Sequence, residues 1–170
     1  KDAPVTLLRE HYRCHPQIIE YCNQRFYNGE LITMTTDNAE NDVLKVVRTV
    51  KGNHARGHFN QREIDVIVQE VIPEYVGKGS VGIISPYRLQ AEEINKALGQ
   101  DIASTVHKYQ GRECDTIILS TVDNLPTEFS DDANLLNVAI SRAKTHLCIV
   151  TSGWLTRNHP HQCQHNCPRI

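Results

Sequence analysis

No stretch of this chain of 170 residues approaches the roughly 20 consecutive apolar residues that a membrane-crossing helix needs. No charged-then-apolar segment opens it either, so nothing reads as a secretory leader. Positive charge is not in excess: 18 Lys and Arg stand against 20 Asp and Glu, for a net charge of −2 and a pI near 6.5. That balance excludes a polycation that coats nucleic acid by bulk charge. Any such binding must use a local groove or a partner domain, because phosphate neutralisation requires clustered Lys and Arg. A disulfide framework is missing too. Of the six cysteines, Cys14, Cys22, Cys114 and Cys148 are scattered through periodic segments at no framework spacing. In a domain of this size they read as reduced, partly buried thiols of an intracellular protein, of cytoplasm, nucleoid or nucleus. No internal repeat is present.

Two apparent phosphate motifs fail on context. Gly77-Lys78-Gly79-Ser80-Val81-Gly82 has the Gly-x-Gly-x-x-Gly spacing, but it follows a helical pattern and leads into a strand. A dinucleotide fingerprint needs the reverse polarity, with the pyrophosphate at a helix N-terminus. Gly52 to Gly57 has P-loop spacing, yet His58 and Phe59 stand where Lys and Ser or Thr should meet phosphate and Mg²⁺. The chain has no phosphate cradle of its own.

What is present looks like one α/β domain. Hydrophobic residues make up 39% and charged residues 22% of the chain, the composition of an ordinary globular core with a solvated surface. Residues 5–8 read as a strand, and Tyr12 to Pro16 as the loop leaving it, with Pro16 placed to open a helix that closes at Asn28-Gly29. Leu44 to Val50 reads as a strand. Asn60 followed by Glu63 has the form of a reciprocal capping box, and Ile64, Ile67, Val68, Val71, Ile72 and Tyr75 form the stripe of the helix behind it. Val81 to Ser85 is a buried strand ended by Pro86, with a helix from about Leu89 to Leu98. Strands follow at 103–106 and 116–122. Ser130 or Asp131 then caps a helix whose stripe is Leu136, Ala139, Ile140 and Ala143, before a last strand from His146 to Thr151. Alternating strands and helices predict a mainly parallel sheet covered on both faces. Because Lys1 is not Met and residues 5–8 already look like a strand, the expectation is a fragment of a longer chain. Residues 1–153 form the domain and 154–170 a flexible tail.

The densest polar chemistry lies between two of these strands, from Ala103 to Val122. Four blocks then occur in order: Glu10-His11-Tyr12-Arg13-Cys14-His15-Pro16, Ile84-Ser85-Pro86-Tyr87-Arg88-Leu89-Gln90, Ser104-Thr105-Val106-His107-Lys108-Tyr109-Gln110-Gly111-Arg112-Glu113, and Asn137-Val138-Ala139-Ile140-Ser141-Arg142-Ala143-Lys144. Together they resemble the second RecA-like domain of superfamily 1 helicases, nearest the branch of nonsense-mediated-decay helicases and replication nuclease-helicases. The resemblance spans about residues 7–151 and implies a RecA-like, three-layer α/β fold that lacks its own P-loop.

It also implies roles. Arg13 and Arg142 would be arginine fingers for the γ-phosphate of ATP, held with Mg²⁺ by an N-terminal RecA-like domain of the same polypeptide, since a cation from across a cleft neutralises charge on a transferring phosphoryl group. Tyr12 would stack on adenine, Glu113 would accept a hydrogen bond from the ribose, and Gly111 would let the backbone approach. Thr105, Pro86, Tyr87, Arg88 and His107 would line the path of single-stranded DNA or RNA, and Gln110 would couple the two sites. The whole enzyme would be a monomeric ATP-dependent translocase travelling 5′ to 3′, and this domain alone would be inactive. Two positions depart from the branch's common pattern. Cys14 stands where Met is frequent, a packing change. His107 stands where Asp is frequent, which brings a side chain that titrates near neutrality to the nucleic-acid side.

Plainer readings stand beside these. Arg13 alone is a surface cation, Arg142 suits a helix C-terminus through the macrodipole, and Glu113 has Arg112 and Lys108 as surface partners. The rival function is a degenerate, non-hydrolysing binding module of the same fold. In the tail, His161, Cys163, His165 and Cys167 have the ligand types and spacing of a Zn²⁺ site, although terminal tails are more often disordered.

Overall fold

In a computed structural model, residues 9–50, 55–109, 111–123 and 133–152 are described. The chain begins with strand β1 (Glu10–His11), helix α1 (Pro16–Phe26) and strands β2 (Ile32–Thr33), β3 (Leu44–Arg48), β4 (Ala55–Arg56) and β5 (Phe59–Asn60). Helix α2 (Gln61–Val66) passes through a π-helical turn (Ile67–Val71) into α3 (Ile72–Tyr75). Then come β6 (Val81–Ser85), α4 (Arg88–Leu98), β7 (Ala103–Thr105), a 3₁₀ turn (His107–Tyr109), β8 (Cys114–Ser120), α5 (Ala133–Ile140) and β9 (Ala143–Thr151). The expected strand at 5–8, the Ser130 or Asp131 cap, Gln110 and the tail lie outside the described residues.

Five strands form an all-parallel sheet in the order β3-β9-β8-β6-β7. Helices cover both faces, so the central strands must be apolar on both sides. Ile84, Ile117, Leu119 and Leu147 pack with Ile18, Ile19 and Cys22 of α1 and Ala139 and Ile140 of α5. The alternate residues Ile83, Ile118, Cys148 and Val150 pack with Ile64, Ile67 and Val71 of the α2 region and Ala91 and Ile94 of α4. Ile18, Ile83, Ile94, Ile117 and Ile118 are fully buried, each contributing about 1.5–3 kcal/mol of transfer free energy. The expected three-layer α/β fold is therefore the one observed. No helix among the described residues is long and apolar enough to cross a membrane.

Three local expectations are corrected. Asn60 does cap α2, accepting from Glu63 N at 3.2 Å, but Glu63 does not reciprocate. Asn60 N donates instead to Gln90 Oε1 at 2.8 Å, and Glu63 turns under the sheet. The helix to Tyr75 is not continuous: Pro73 has no N–H for an i−4 bond, and the backbone widens into the π turn just before it. Ala143 is not on the last helix. It opens β9, fully buried and paired with Cys114 of β8, so strand pairing overrides helical periodicity there.

The connection from β7 to β8 sets up the site. Parallel strands require the chain to return from one edge of the sheet to the other, usually through a helix and a dozen or more residues. Here eight residues, Val106–Glu113, make the crossing. The crossing is that short because Val106 and Tyr109 pack straight onto the sheet. Tyr109 fits because Gly82 of β6 has no side chain: a Cβ there would stand 1.6 Å from Tyr109 Oη.

Candidate functional site: two edges of one sheet

At the N-terminal ends of β8 and β9, three separate segments meet. The first is the Tyr12–Cys14 loop after β1. Its turn is held by His11 Nε2, which accepts Cys14 N at 3.0 Å, and by Thr35 Oγ1, which donates to Cys14 O at 2.6 Å. His15 N donates to Lys144 O at 2.6 Å, and Cys14 Sγ lies 3.5 Å from Ser141 O. The loop is thereby fixed to the Ser141–Lys144 segment. The second segment is that turn itself, where Arg142 Nε donates to Val138 O at 3.1 Å and Arg142 O accepts from Cys114 N at 3.1 Å. The third is Glu113, one residue before β8.

Glu113 is the hub. Arg13 Nε lies 2.7 Å from Oε2 and Lys144 Nζ 2.7 Å from Oε1. The Lys144 hydrogen bond, with the charges of Lys144, Arg13 and Arg142, holds its carboxyl below the ordinary carboxylate range. The surface partners expected for Glu113 were Arg112 and Lys108; those observed are Arg13 and Lys144. Lys144 stood in the fourth sequence block without a role, and only the β8–β9 register reveals one. Tyr12 is 65% exposed, its hydroxyl donating to Glu10. Gly111 has φ +81° with nothing within 4 Å of a Cβ position, so glycine is required there for its left-handed backbone.

A cleft of about 290 Å³ opens alongside, lined by Arg13, Lys144, His15, Met34, Thr35 and Thr36. Behind it, buried His15 caps α1 by accepting Gln17 N at Nδ1, 3.2 Å away. This places its proton on Nε2, which faces Asp37 Oδ1 at 3.3 Å and Glu40 Oε2 at 3.2 Å. The three side chains have cation-ligand chemistry, but His15 offers them an N–H rather than a lone pair.

The nucleic-acid candidates collect at the opposite, C-terminal edge. Ser85 pairs with Thr105, which sets Pro86-Tyr87-Arg88 beside the turn that starts at His107. Tyr87 OH donates to Asp123 Oδ2 at 2.8 Å, and its ring lies 4.6 Å from that of His58 in the β4–β5 hairpin. Arg88 is 77% exposed and pairs with Glu92 at 2.6 Å. His107 is exposed and Thr105 half-buried. Sequence reasoning missed His58 and Asp123, which have no local signature.

Two edges, one lined with cations and one with rings and hydroxyls, are thus joined by the Val106–Glu113 crossing. Residues 1–153 match the AAA domain family AAA_12. The chain belongs to that family. Within it, this AAA_12 chain is of the type found as the C-terminal domain of superfamily 1 helicases. It is 30% identical over 168 residues to the mouse 5'-3' DNA helicase ZGRF1, covering 86% of this chain and 9% of that protein. It is 28% identical over 179 residues to helicase sen1 of Schizosaccharomyces pombe, covering 86% of this chain and 10% of that protein. The AAA_12 chain therefore spans about a tenth of the length of these relatives. Among solved structures it is similar to the C-terminal domain of a possible DNA helicase from Lactobacillus plantarum WCFS1. The TM-score is 0.59 at 20% identity, with 88% of this chain and 95% of that one covered.

Proposed function

We propose that residues 1–153 are the C-terminal motor half of an ATP-dependent superfamily 1 helicase or translocase acting on single-stranded DNA or RNA. The observation that carries the reading is the convergence of Arg13, Arg142 and Lys144 around one carboxylate. Three cations from two separate segments suit a polyanion, and a triphosphate presented by an N-terminal RecA-like domain of the same polypeptide is one. Glu113 is not free to hold Mg²⁺, because Arg13 and Lys144 already engage it. The metal, which would neutralise phosphate charge, belongs with the partner domain.

In this arrangement Arg142 and Arg13 stabilise charge on the transferring phosphoryl group. Arg142 is anchored through Nε to a helix-end carbonyl, which leaves the planar guanidinium pre-aimed before a nucleotide arrives. Tyr12 offers a ring to the adenine. Glu113 would release one cation to the phosphates and take a ribose hydroxyl in exchange. At the other edge, Thr105 and His107 meet the strand's phosphates, and Pro86, Tyr87 and Arg88 form its wall. Gln110, which precedes Gly111 in the sequence, is assigned the coupling role. ATP-driven closure of the two motor domains then alters the grip on the strand.

Nucleic-acid-stimulated ATP turnover of the full-length protein tests this. Arg142→Ala should lower turnover by roughly a thousandfold or more, the scale of a lost arginine finger. Unchanged turnover in that variant removes the finger assignment. Residues 1–170 alone should not hydrolyse ATP, and robust turnover by that piece, purified free of other ATPases, would refute the shared-site reading.

A further inference from the structure

Glu63 is fully buried and belongs to none of the four sequence blocks. Its carboxylate Oε2 accepts from Ser120 Oγ at 2.6 Å and Val122 N at 2.9 Å, and Oε1 accepts from Thr121 Oγ1 at 3.3 Å. These are the residues with which β8 ends and its following turn begins. Val122 has φ +68°, a left-handed backbone that a β-branched side chain disfavours strongly. Both peptide groups of this residue are clamped from the first turn of α2: Glu63 takes the N–H, and Asn60 Nδ2 donates to Val122 O at 2.9 Å.

The next residue is Asp123, which accepts the Tyr87 hydroxyl at 2.8 Å. A second link runs through Gln90, fully buried on α4. It donates to Ser120 Oγ at 2.8 Å and accepts Asn60 N at 2.8 Å. A buried carboxylate is a costly way to fill space, and the charged group acting on this one is another carboxylate, Asp123. What Glu63 does that an apolar side chain cannot is accept hydrogen bonds at three fixed points of a strained turn.

We infer that Glu63 is a positioning residue for nucleic-acid binding: it holds the turn after β8 in its left-handed state, so that Asp123 fixes Tyr87 at the edge where the strand lies. The inference rests on the reading of Pro86-Tyr87-Arg88 as a nucleic-acid contact. Strain at Val122 is stored where function needs a defined geometry, and the buried network maintains it.

The test measures, in the full-length protein, the concentration of single-stranded oligonucleotide that half-saturates ATPase stimulation, alongside the KM for ATP. Glu63→Leu and Asp123→Ala should each raise the half-saturating concentration by at least about fivefold, while the KM for ATP stays within about twofold. Glu63→Gln should restore wild-type behaviour, since its amide oxygen accepts Ser120 and Val122 and its amide nitrogen faces Thr121 Oγ1. Asp123→Ala, at the half-buried end of the chain of contacts, keeps the test decisive if Glu63→Leu does not fold. An unchanged half-saturating concentration in Asp123→Ala, a defect in Glu63→Gln, or an equal rise in the KM for ATP would overturn the inference. Tyr87→Ala separates it from the reading beneath. If Tyr87→Ala also leaves the concentration unchanged, the nucleic-acid assignment falls and takes the inference with it. If Tyr87→Ala raises the concentration and Glu63→Leu does not, only the inference falls.

Discussion

Replacing Gly82 by Ala is the sharpest single perturbation of this fold, because one methyl group meets the residue on which the β7–β8 crossing packs. The new Cβ would stand 1.6 Å from Tyr109 Oη, 2.7 Å from its Cζ and 3.0 Å from Cys114 Sγ. Two of those atoms belong to a ring that is 4% exposed, so the clash cannot be relieved by swinging a side chain into solvent without losing burial. Ordinary overpacking costs about 1–3 kcal/mol, and expelling an aromatic ring costs about 3–5 kcal/mol. The alanine recovers about 0.5–1 kcal/mol of backbone entropy in a strand. A net loss of about 2–4 kcal/mol is expected, a fall in Tm of roughly 4–16 °C for a domain of this size. Urea unfolding followed by circular dichroism measures it. Tyr109→Phe should rescue only partly, since it removes Oη but leaves Cζ at 2.7 Å, whereas Tyr109→Leu should rescue more. If Gly82→Ala changes stability by less than about 0.5 kcal/mol, the packing account of the crossing is wrong.

Burial pushes the Glu63 carboxyl from 4.5 up to about 7. The folded state therefore holds the proton more tightly, and stability should fall as pH rises from about 4.5 through 7, by about 3 kcal/mol in all. Glu63→Gln should flatten that slope in pH-dependent urea melts, and a slope unchanged by the substitution would place the titration elsewhere. Asn60→Ala removes both the α2 cap and the hydrogen bond to Val122 O, and should cost at least about 1–2 kcal/mol in the same melts. Desolvation raises the thiols of Cys14, Cys22 and Cys148 to about 12. A thiolate-selective alkylating reagent at neutral pH should leave all three unlabelled in the native protein, and rapid labelling of any of them would show that its pocket opens.

The main strands and helices were legible where the signals were local. Val81–Ser85 emerges with its observed bounds because glycines precede it and Pro86 ends it, and α1 opens at Pro16 as expected. Arg13, Glu113 and Arg142 could be singled out by pattern, and the structure brings them together. What pattern could not reach is pairing across distance. Lys144 is neighbour to Glu113 only through the register of β8 and β9. Glu63 looked like a capping partner three residues from Asn60. Yet three donors at Ser120–Val122 compete for the same carboxylate, and the buried Val122 N–H, which Glu63 satisfies, decides the outcome. Short β1 and β2 were likewise invisible, since two-residue pairings carry no periodicity.

The crossing between β7 and β8 has a consequence for how this protein can vary. An extended chain reaches at most about 3.3–3.6 Å per residue, and one 3₁₀ turn already shortens the eight residues of Val106–Glu113. In a crossing of only eight residues, length matters independently of letters. A single inserted residue would shift Glu113 against Arg142 without replacing any functional side chain. Across relatives, then, spacing from Thr105 to Cys114 should be inherited more strictly than the residues between them.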